Sequence, residues 1–219
     1  QCNHKDSNTD GACDLCKEGM PGTVPLVKKN RKTSYKVVLG KGLKSYSRTK
    51  IDIFIEELEG LGVSIEMEEN KDAAVVEYEI LFGEISNRDS KYILDVHDYG
   101  IKGYTIQIID NKIIVLAGSD AAYVEAIELL RTDFFKITDT AMALGELKNV
   151  YVYADKNVTK VQDDYNITQI TLFGEDIREY KIAYDMSAGQ DQTILSETKK
   201  AAQSLQTLLY EKSGYWLDI

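Results

Sequence analysis

The first twenty residues, QCNHKDSNTDGACDLCKEGM, contain the side chains whose types and spacing best fit metal chemistry. They bring together three thiolates and one imidazole, from Cys2, His4, Cys13 and Cys16. This donor set suits a tetrahedral structural zinc site. Because no cysteine follows Cys16, the sequence predicts a local zinc site or a disulfide in this segment.

A calcium-binding pattern is interleaved with the zinc pattern. Acidic and amide residues alternate as in an EF-hand loop, and Gly11 occupies the sixth position, where that loop turns sharply. The predicted oxygen ligands are the side chains of Asp6, Asn8, Asp10 and Asp14 and the carbonyl of Ala12. Lys17 replaces the usual bidentate glutamate at the twelfth position, which weakens the calcium interpretation.

The same segment resembles the short C-x-H-x-D-x-N-x-D-G-x-C-D-x-C modules found in surface proteins of clostridia and related Gram-positive bacteria. That resemblance implies an exported, modular protein with an extracellular calcium supply. In either metal interpretation the ion would be structural. The alternative is a flexible linker with one disulfide and one thiol.

Composition limits the possible partners of the chain. Its 219 residues are 43% hydrophobic, which is enough to bury the core of one large or two small domains. It carries 36 acidic against 26 basic side chains, a formal net charge of −10. Such a surface repels phosphate backbones, so no nucleic-acid partner is expected. No apolar run is long enough to span a bilayer, so no transmembrane segment is expected.

Residues 78–134 contain the most regular pattern, and the rest of the chain is arranged around them. A mostly apolar strand ends at Gly83 and is followed by a β-hairpin over 103–118. The hairpin turns at Asp110-Asn111, since both residues tolerate positive φ. An amphipathic helix then begins, with Ser119 as its N-cap.

A strand, a helix and a second strand precede this central stretch. The strands are predicted at 35–39 and 63–67, and the helix is indicated by apolar residues at helical spacing over 51–58. Together with the central stretch, they predict an α/β (α+β) fold in which helices pack on one face of a mixed β-sheet.

The long loop from Asn87 to Lys102 is the place where a function is most expected in this domain. In it, His97 lies beside Asp95 and Asp98, a grouping that can titrate or bind a metal ion. A lone loop histidine is more often a surface residue, so both interpretations stay open.

Residues 33–135 resemble the N-terminal α/β accessory domain that precedes the catalytic barrel in family 20 glycoside hydrolases and α-glucuronidase-type enzymes. The motifs that carry the resemblance are E-I-L-F-G at 79–83 with Arg88, G-Y-T-I-Q-I at 103–108 and K-I-I-V-L-A-G at 112–118. The resemblance implies that Arg88 holds the loop in place by charge-assisted hydrogen bonds. It implies no catalytic residue, because the accessory domain carries none in those enzymes.

The last forty residues look like a partial second copy of the first unit. Residues 180–184 match the strand at 35–39, and residues 215–219 match the second strand. A helix is predicted between them over 194–212, with an inward face formed by Ala201, Ala202, Leu205, Leu208 and Leu209. The strand at Tyr215–Ile219 would leave a sheet edge, which a continuing chain, another region or a second subunit would cover.

The sequence thus predicts four segments. They are a metal-binding segment over 1–20, a linker over 21–34, an accessory-like domain over 35–147, and a β-rich segment with the partial second unit over 148–219. Trp216 is the candidate sugar-stacking residue, although strand aromatics are more often half-buried.

The sequence contains no nucleophile elbow, His-Glu-x-x-His motif or dinucleotide fingerprint. We therefore expect a noncatalytic accessory or scaffold module of an exported bacterial cell-surface protein. Its expected partners are a glycan or cell-wall polymer, and its expected cofactor is a structural zinc or calcium ion. One alternative is a self-assembling surface subunit, completed by a neighbour along Tyr215–Ile219. Another is the front part of a glycoside hydrolase whose barrel follows Ile219.

Overall fold

The computed structural model of the chain divides into two compact units, Gln1–Lys160 and Val161–Ile219. It describes residues 7, 13–15, 24–27, 32–70, 72–137, 152–154, 157–162, 165–184 and 191–219. The four segments predicted from the sequence remain a prediction. Within the described residues, no helix is both long and apolar enough to cross a membrane.

A six-stranded mixed sheet forms the centre of the first unit. Its strands are β2 (Lys32–Leu39), β3 (Ser64–Glu69), β4 (Glu79–Phe82), β5 (Tyr104–Ile109), β6 (Lys112–Ala117) and β8 (Val158–Lys160). Their spatial order is β3-β2-β4-β6-β5-β8. The first four strands of this order run parallel, while β5 is antiparallel to both β6 and β8. Two shorter strands, β1 (Val24–Val27) and β7 (Val152–Ala154), form a separate antiparallel pair.

Two helices pack on the same face of this sheet, as the sequence predicted. Helix α1 spans Ser45–Gly60, and α2 spans Asp120–Leu129 and continues into a π-helical turn over Leu130–Phe134. Alternate strand residues point into this core because side chains alternate between the two faces of a strand. The helix and strand residues that meet there include Ile51, Phe54, Val37, Ile80, Ile113, Ala126 and Phe134.

The opposite face of the sheet is covered by the long loop after β4. A second, smaller core joins Val38, Leu81 and Ile114 of the sheet to Ile85 and Tyr92 of the loop. Two short 3₁₀ helices, Ser90–Tyr92 and Val96–Tyr99, shape this covering segment. The long loop, in which a function was expected because of its length, therefore also has a structural role.

The second unit contains a two-stranded ladder and one long helix. Strands β9 (Thr171–Leu172) and β10 (Glu175–Asp176) pair, a 3₁₀ turn follows at Ile177–Glu179, and α3 spans Gln192–Ser213. Asp191 caps α3, since its carboxylate accepts a hydrogen bond from the Thr193 N–H at 2.7 Å.

Only the helix of the predicted strand–helix–strand copy is present. Residues 180–184 and 215–219 are described but form no strand, although one backbone hydrogen bond joins Ile182 N–H to the Asp218 carbonyl at 2.8 Å. The predicted sheet edge at Tyr215–Ile219 is therefore wrong for the described residues. A single hydrogen bond does not make a ladder, and ladders stabilise strands by repeating such pairs.

The inward face of α3 also differs from the prediction. Leu205 and Leu208 are 46% and 51% exposed, whereas Ala202 and Tyr210 are buried. The apolar residues of α3 occupy a wide arc of the helix surface, and only part of that arc is buried. Periodicity alone therefore did not identify the buried side of α3.

Candidate functional site

Three buried charged side chains fasten the long loop to the sheet. The guanidinium of Arg88 donates two hydrogen bonds to the Glu79 carboxylate, from Nε at 2.9 Å and from Nη2 at 2.7 Å. The Lys112 ammonium donates a third, to Glu79 Oε2 at 2.7 Å. Residues Glu79 and Lys112 are the opposed first residues of β4 and β6, so the parallel register brings them together. The structure thus gives Arg88 the loop-holding role that the resemblance implied.

The protonation of Glu79 follows from this cluster. Burial alone would raise the pKa of its carboxyl, because a charge is costly away from water. Hydrogen bonds from Arg88 and Lys112 outweigh burial, and the pKa of Glu79 lies below its usual value. The carboxylate therefore stays ionised and keeps both cations in place.

A backbone bridge closes the carboxyl edge of the sheet between β2 and β4. Lys41 and Glu84 exchange two backbone hydrogen bonds, each 2.9 Å long. Gly83 has a φ of 84°, and a Cβ there would lie 2.4 Å from the Lys41 carbonyl oxygen. A Cβ on Gly40 would lie 2.4 Å from the Glu84 carbonyl oxygen. Both glycines are therefore required for the bridge, which separates two pockets.

The first of these pockets, here called the sheet-face pocket, has a volume of about 530 Å³. It lies between the sheet and the long loop. Its apolar lining comes from Ile85, Ile93, Leu94, Val96, Ile114 and Leu116, and its polar lining from Lys41, Glu84, Ser86, Tyr92, Asp95 and His97. An apolar surface with polar groups of both charge signs is typical of a small-molecule binding site.

The loop histidine belongs to this pocket. His97 Nδ1 lies 2.8 Å from Asp95 Oδ1, and the same carboxylate oxygen accepts a hydrogen bond from the His97 backbone N–H at 2.9 Å. The first contact orients the imidazole at the pocket wall, and the second fixes the backbone that carries it. Asp98, the third member of the predicted grouping, is not among the residues that line the pocket.

The second pocket, here called the edge pocket, has a volume of about 440 Å³. It lies where β2 and β3 end, and it is lined by Leu39, Gly40, Lys41, Gly42, Leu43, Arg48, Glu69, Asn70, Ser86 and Asn87. Arg48 and Glu69 form a two-point ion pair, with N–O distances of 2.5 Å and 3.2 Å. The hydrogen bond to Glu69 is the main cause that raises the pKa of Arg48 above its usual value.

The predicted metal ligands are only partly described. Cys13 is buried, and Asp14 accepts a hydrogen bond from the Ser7 backbone N–H at 3.0 Å. The others lie outside the described residues, namely Cys2, His4, Cys16, Asp6, Asn8, Asp10 and Ala12. Within the described part of the chain, no three histidine, cysteine or acidic side chains group as a metal site would require. The zinc and calcium interpretations therefore remain predictions.

Trp216 lies in the second unit and is 42% exposed. Its ring meets the ring of Tyr210 edge to face, with 5.5 Å between the ring centroids. Part of the Trp216 ring is thus in contact with Tyr210, and the sugar-stacking role of Trp216 remains a prediction.

The chain was compared with known families and solved structures. No protein-family model matches it, and no curated protein matches it. Similar solved structures include CpGH84D, with 16% identity, a TM-score of 0.41 and coverage of 66% of this chain. Another is the Flavobacterium johnsoniae chitobiase FjGH20, with 16% identity, a TM-score of 0.36 and coverage of 73% of this chain. The match covers 22% of the length of each of these structures.

Proposed function

We propose that the chain is a noncatalytic, carbohydrate-associated accessory module of an exported bacterial surface protein, and that its sheet-face pocket binds a neutral sugar. The observation that carries this proposal is that apolar and polar side chains together line this pocket. A sugar ring has apolar C–H faces and a rim of hydroxyl groups, so it needs an apolar wall and hydrogen-bonding groups together.

The sheet-face pocket offers both kinds of surface. Ile114 and Leu116 of β6 provide an apolar wall, while the Asp95 carboxylate and the His97 imidazole, held 2.8 Å apart, provide groups that hydrogen-bond to hydroxyls. Lys41 adds a basic residue to the same lining. Because charges of both signs line the pocket, a neutral ligand is favoured over a strongly charged one.

The sequence adds support for the setting of this module. Residues 33–135 resemble a glycoside hydrolase accessory domain, and the first twenty residues resemble modules of bacterial surface proteins. The proposed extracellular location and the structural metal ion rest on those two resemblances.

The test is isothermal titration of the whole chain with neutral glucose- and N-acetylglucosamine-based sugars of one to four units. We expect saturable binding that weakens at least about tenfold in His97→Ala. The control is Asp72→Ala, which changes an exposed residue outside the pocket lining. It should bind the sugars as tightly as the unsubstituted protein does. A folded protein that binds none of these sugars would contradict the proposal.

A further inference from the structure

The edge pocket adjoins the sheet-face pocket, and the two share wall residues. Lys41 and Ser86 line both pockets, on either side of the backbone bridge between Lys41 and Glu84. The two pockets therefore adjoin at this bridge. A linear molecule with repeated hydrogen-bonding units can occupy both at once.

One amide in the edge pocket is incompletely satisfied. Asn70 Oδ1 is buried and has no hydrogen-bond partner among the described residues. Its side-chain nitrogen donates only a long hydrogen bond, 3.4 Å, to the Ser86 hydroxyl. A buried polar atom without a partner is costly, so a ligand hydroxyl in the edge pocket that the Asn70 amide turns to meet would relieve that cost.

The rest of that residue is held firmly in place. The Asn70 backbone N–H donates to the Leu39 carbonyl at 2.8 Å, and its own carbonyl accepts from Asn87 Nδ2 at 3.1 Å. The backbone of Asn70 is thus fixed just after the end of β3, so only the side-chain torsions of the amide are ordered when a ligand binds it. A hydroxyl group both donates and accepts hydrogen bonds. It can therefore pair with the Asn70 amide whether the amide oxygen or the amide nitrogen faces it.

The charged pair in the same pocket adds fixed donors and acceptors. Arg48 and Glu69 hold each other at two points while their side chains remain 36% and 43% exposed. Adjacent hydroxyl groups of a sugar can donate to the carboxylate and accept from the guanidinium without separating the pair. Since the pair is internally neutralised, it favours a neutral polyol over an anion.

We propose that the edge pocket is a second sugar subsite, so that one neutral oligosaccharide spans both pockets across the Lys41–Glu84 bridge. This inference rests on the proposed function. The sheet-face pocket holds one sugar unit against its apolar wall, and the edge pocket holds a following unit by hydrogen bonds to Asn70 and to the Arg48–Glu69 pair.

The test compares one-unit and four-unit sugars by isothermal titration of the whole chain. The variants are Asn70→Ala, the sheet-face variant His97→Ala, and the matched control Asn166→Ala, which removes an exposed amide in the second unit. We expect the unchanged chain to bind the four-unit sugar at least about tenfold more tightly than the one-unit sugar. Asn70→Ala should abolish this gain and leave one-unit binding unchanged, while His97→Ala should weaken both.

The possible failures are distinguishable. If Asn70→Ala keeps the full gain with chain length, the second subsite is wrong and the proposed function stands. If the unchanged chain binds no sugar, both proposals are wrong. If Asn70→Ala alone abolishes one-unit binding and His97→Ala has no effect, the sugar sits only in the edge pocket and both assignments are overturned. Thermal unfolding of each variant shows whether a lost signal reflects lost folding.

Discussion

Individual side chains in this protein show how strongly burial controls polar chemistry. Glu79 tolerates complete burial because two cations and the Val76 backbone N–H hydrogen-bond to its carboxylate. Tyr35 is almost as buried, but its hydroxyl has no hydrogen-bond partner among the described residues. Burial is also the main cause that raises the pKa of Tyr35. Hydrogen bonds therefore compensate for the burial of Glu79, whereas the burial of the Tyr35 hydroxyl costs stability.

The substitution Glu79→Gln should lower the free energy of unfolding by about 3–5 kcal/mol near neutral pH, because it leaves two buried cations without their carboxylate. The lowered pKa of Glu79 also sets a pH dependence. The carboxylate stabilises the fold above the pKa of an unfolded glutamate, and this stabilisation is lost as pH falls through the lower folded pKa. Urea unfolding at several pH values should show that Glu79→Gln removes part of the acid sensitivity.

The matched control for this substitution is Glu66→Gln, at an exposed position on β3. It should change the free energy of unfolding by less than about 0.5 kcal/mol. Equal destabilisation by the two substitutions would show that the buried cluster does not hold the loop.

Removing the unsatisfied hydroxyl should not harm the protein. We expect Tyr35→Phe to leave the free energy of unfolding unchanged or to raise it by up to about 1–3 kcal/mol. Tyr123→Phe is the comparison, since the buried hydroxyl of Tyr123 is hydrogen-bonded to the Ala117 backbone. Thermal unfolding should rank Tyr35→Phe above Tyr123→Phe, and the reverse order would mean that Tyr35 makes a stabilising hydrogen bond.

At the scale of elements, the start of α2 stabilises the N-terminal ends of both helices on the sheet. The Ser119 side chain caps α2 by accepting a hydrogen bond from the Ala122 N–H at 3.2 Å. The neighbouring Asp120 reaches across to α1, where its Oδ1 accepts a hydrogen bond from the Ser47 N–H at 2.9 Å. One carboxylate thus lies near the positive ends of two helix dipoles.

Asp120→Ala should therefore destabilise the domain by about 1–2 kcal/mol, since it removes a cap from α1 and a favourable charge from α2. Asp52→Ala, at an exposed position within α1, is the control and should have a much smaller effect. Urea unfolding followed by circular dichroism measures both. Equal effects of the two substitutions would contradict the capping role of Asp120.

At the scale of the whole molecule, both pockets are built from the first unit alone. Every residue that lines them precedes Lys160, where that unit ends. Strand β8 closes the sheet by pairing with β5, and Thr105 supports this pairing through a side-chain contact of 2.8 Å with Thr159.

A chain truncated after Lys160 should therefore keep the sugar affinity of the full chain. A chain truncated after Ala154 loses β8 and leaves the edge of β5 unpaired, so it should aggregate or unfold at lower temperature. Titration and light scattering of the two shortened chains test this prediction. Loss of binding in the longer of the two would show that the second unit contributes to the site.

Metal content is a second property of the whole molecule. If the first twenty residues hold a structural ion, native mass spectrometry should show a mass of one zinc or calcium ion lost after chelation. The donor set predicts zinc through Cys2, His4, Cys13 and Cys16, and calcium through Asp6, Asn8, Asp10, Ala12 and Asp14. An unchanged mass after chelation would contradict the calcium interpretation and weaken the zinc interpretation in favour of the flexible segment with one disulfide.

Local sequence patterns were sufficient for the central hairpin and the two helices of the first unit, whereas strands β1 and β8 were not predicted. The alternation over 103–118, the Ser119 cap and the apolar spacing over 51–58 each depend on neighbours within a few residues, so the sequence by itself determined them. The exposed side of α3 could not be determined in this way. Its Leu205 and Leu208 continue the apolar pattern, and only the tertiary fold decides which part of an apolar arc is covered.

The candidate sites depended on the tertiary structure for the same reason. Glu79 and Lys112 are 33 residues apart in sequence, and they meet only because β4 and β6 lie in parallel register. Asn70 and Ser86 lie on opposite sides of β4 in sequence, and the folded loop brings them to one pocket. Residue types predicted which side chains were capable of binding, but long-range strand pairing decided which of them share a site.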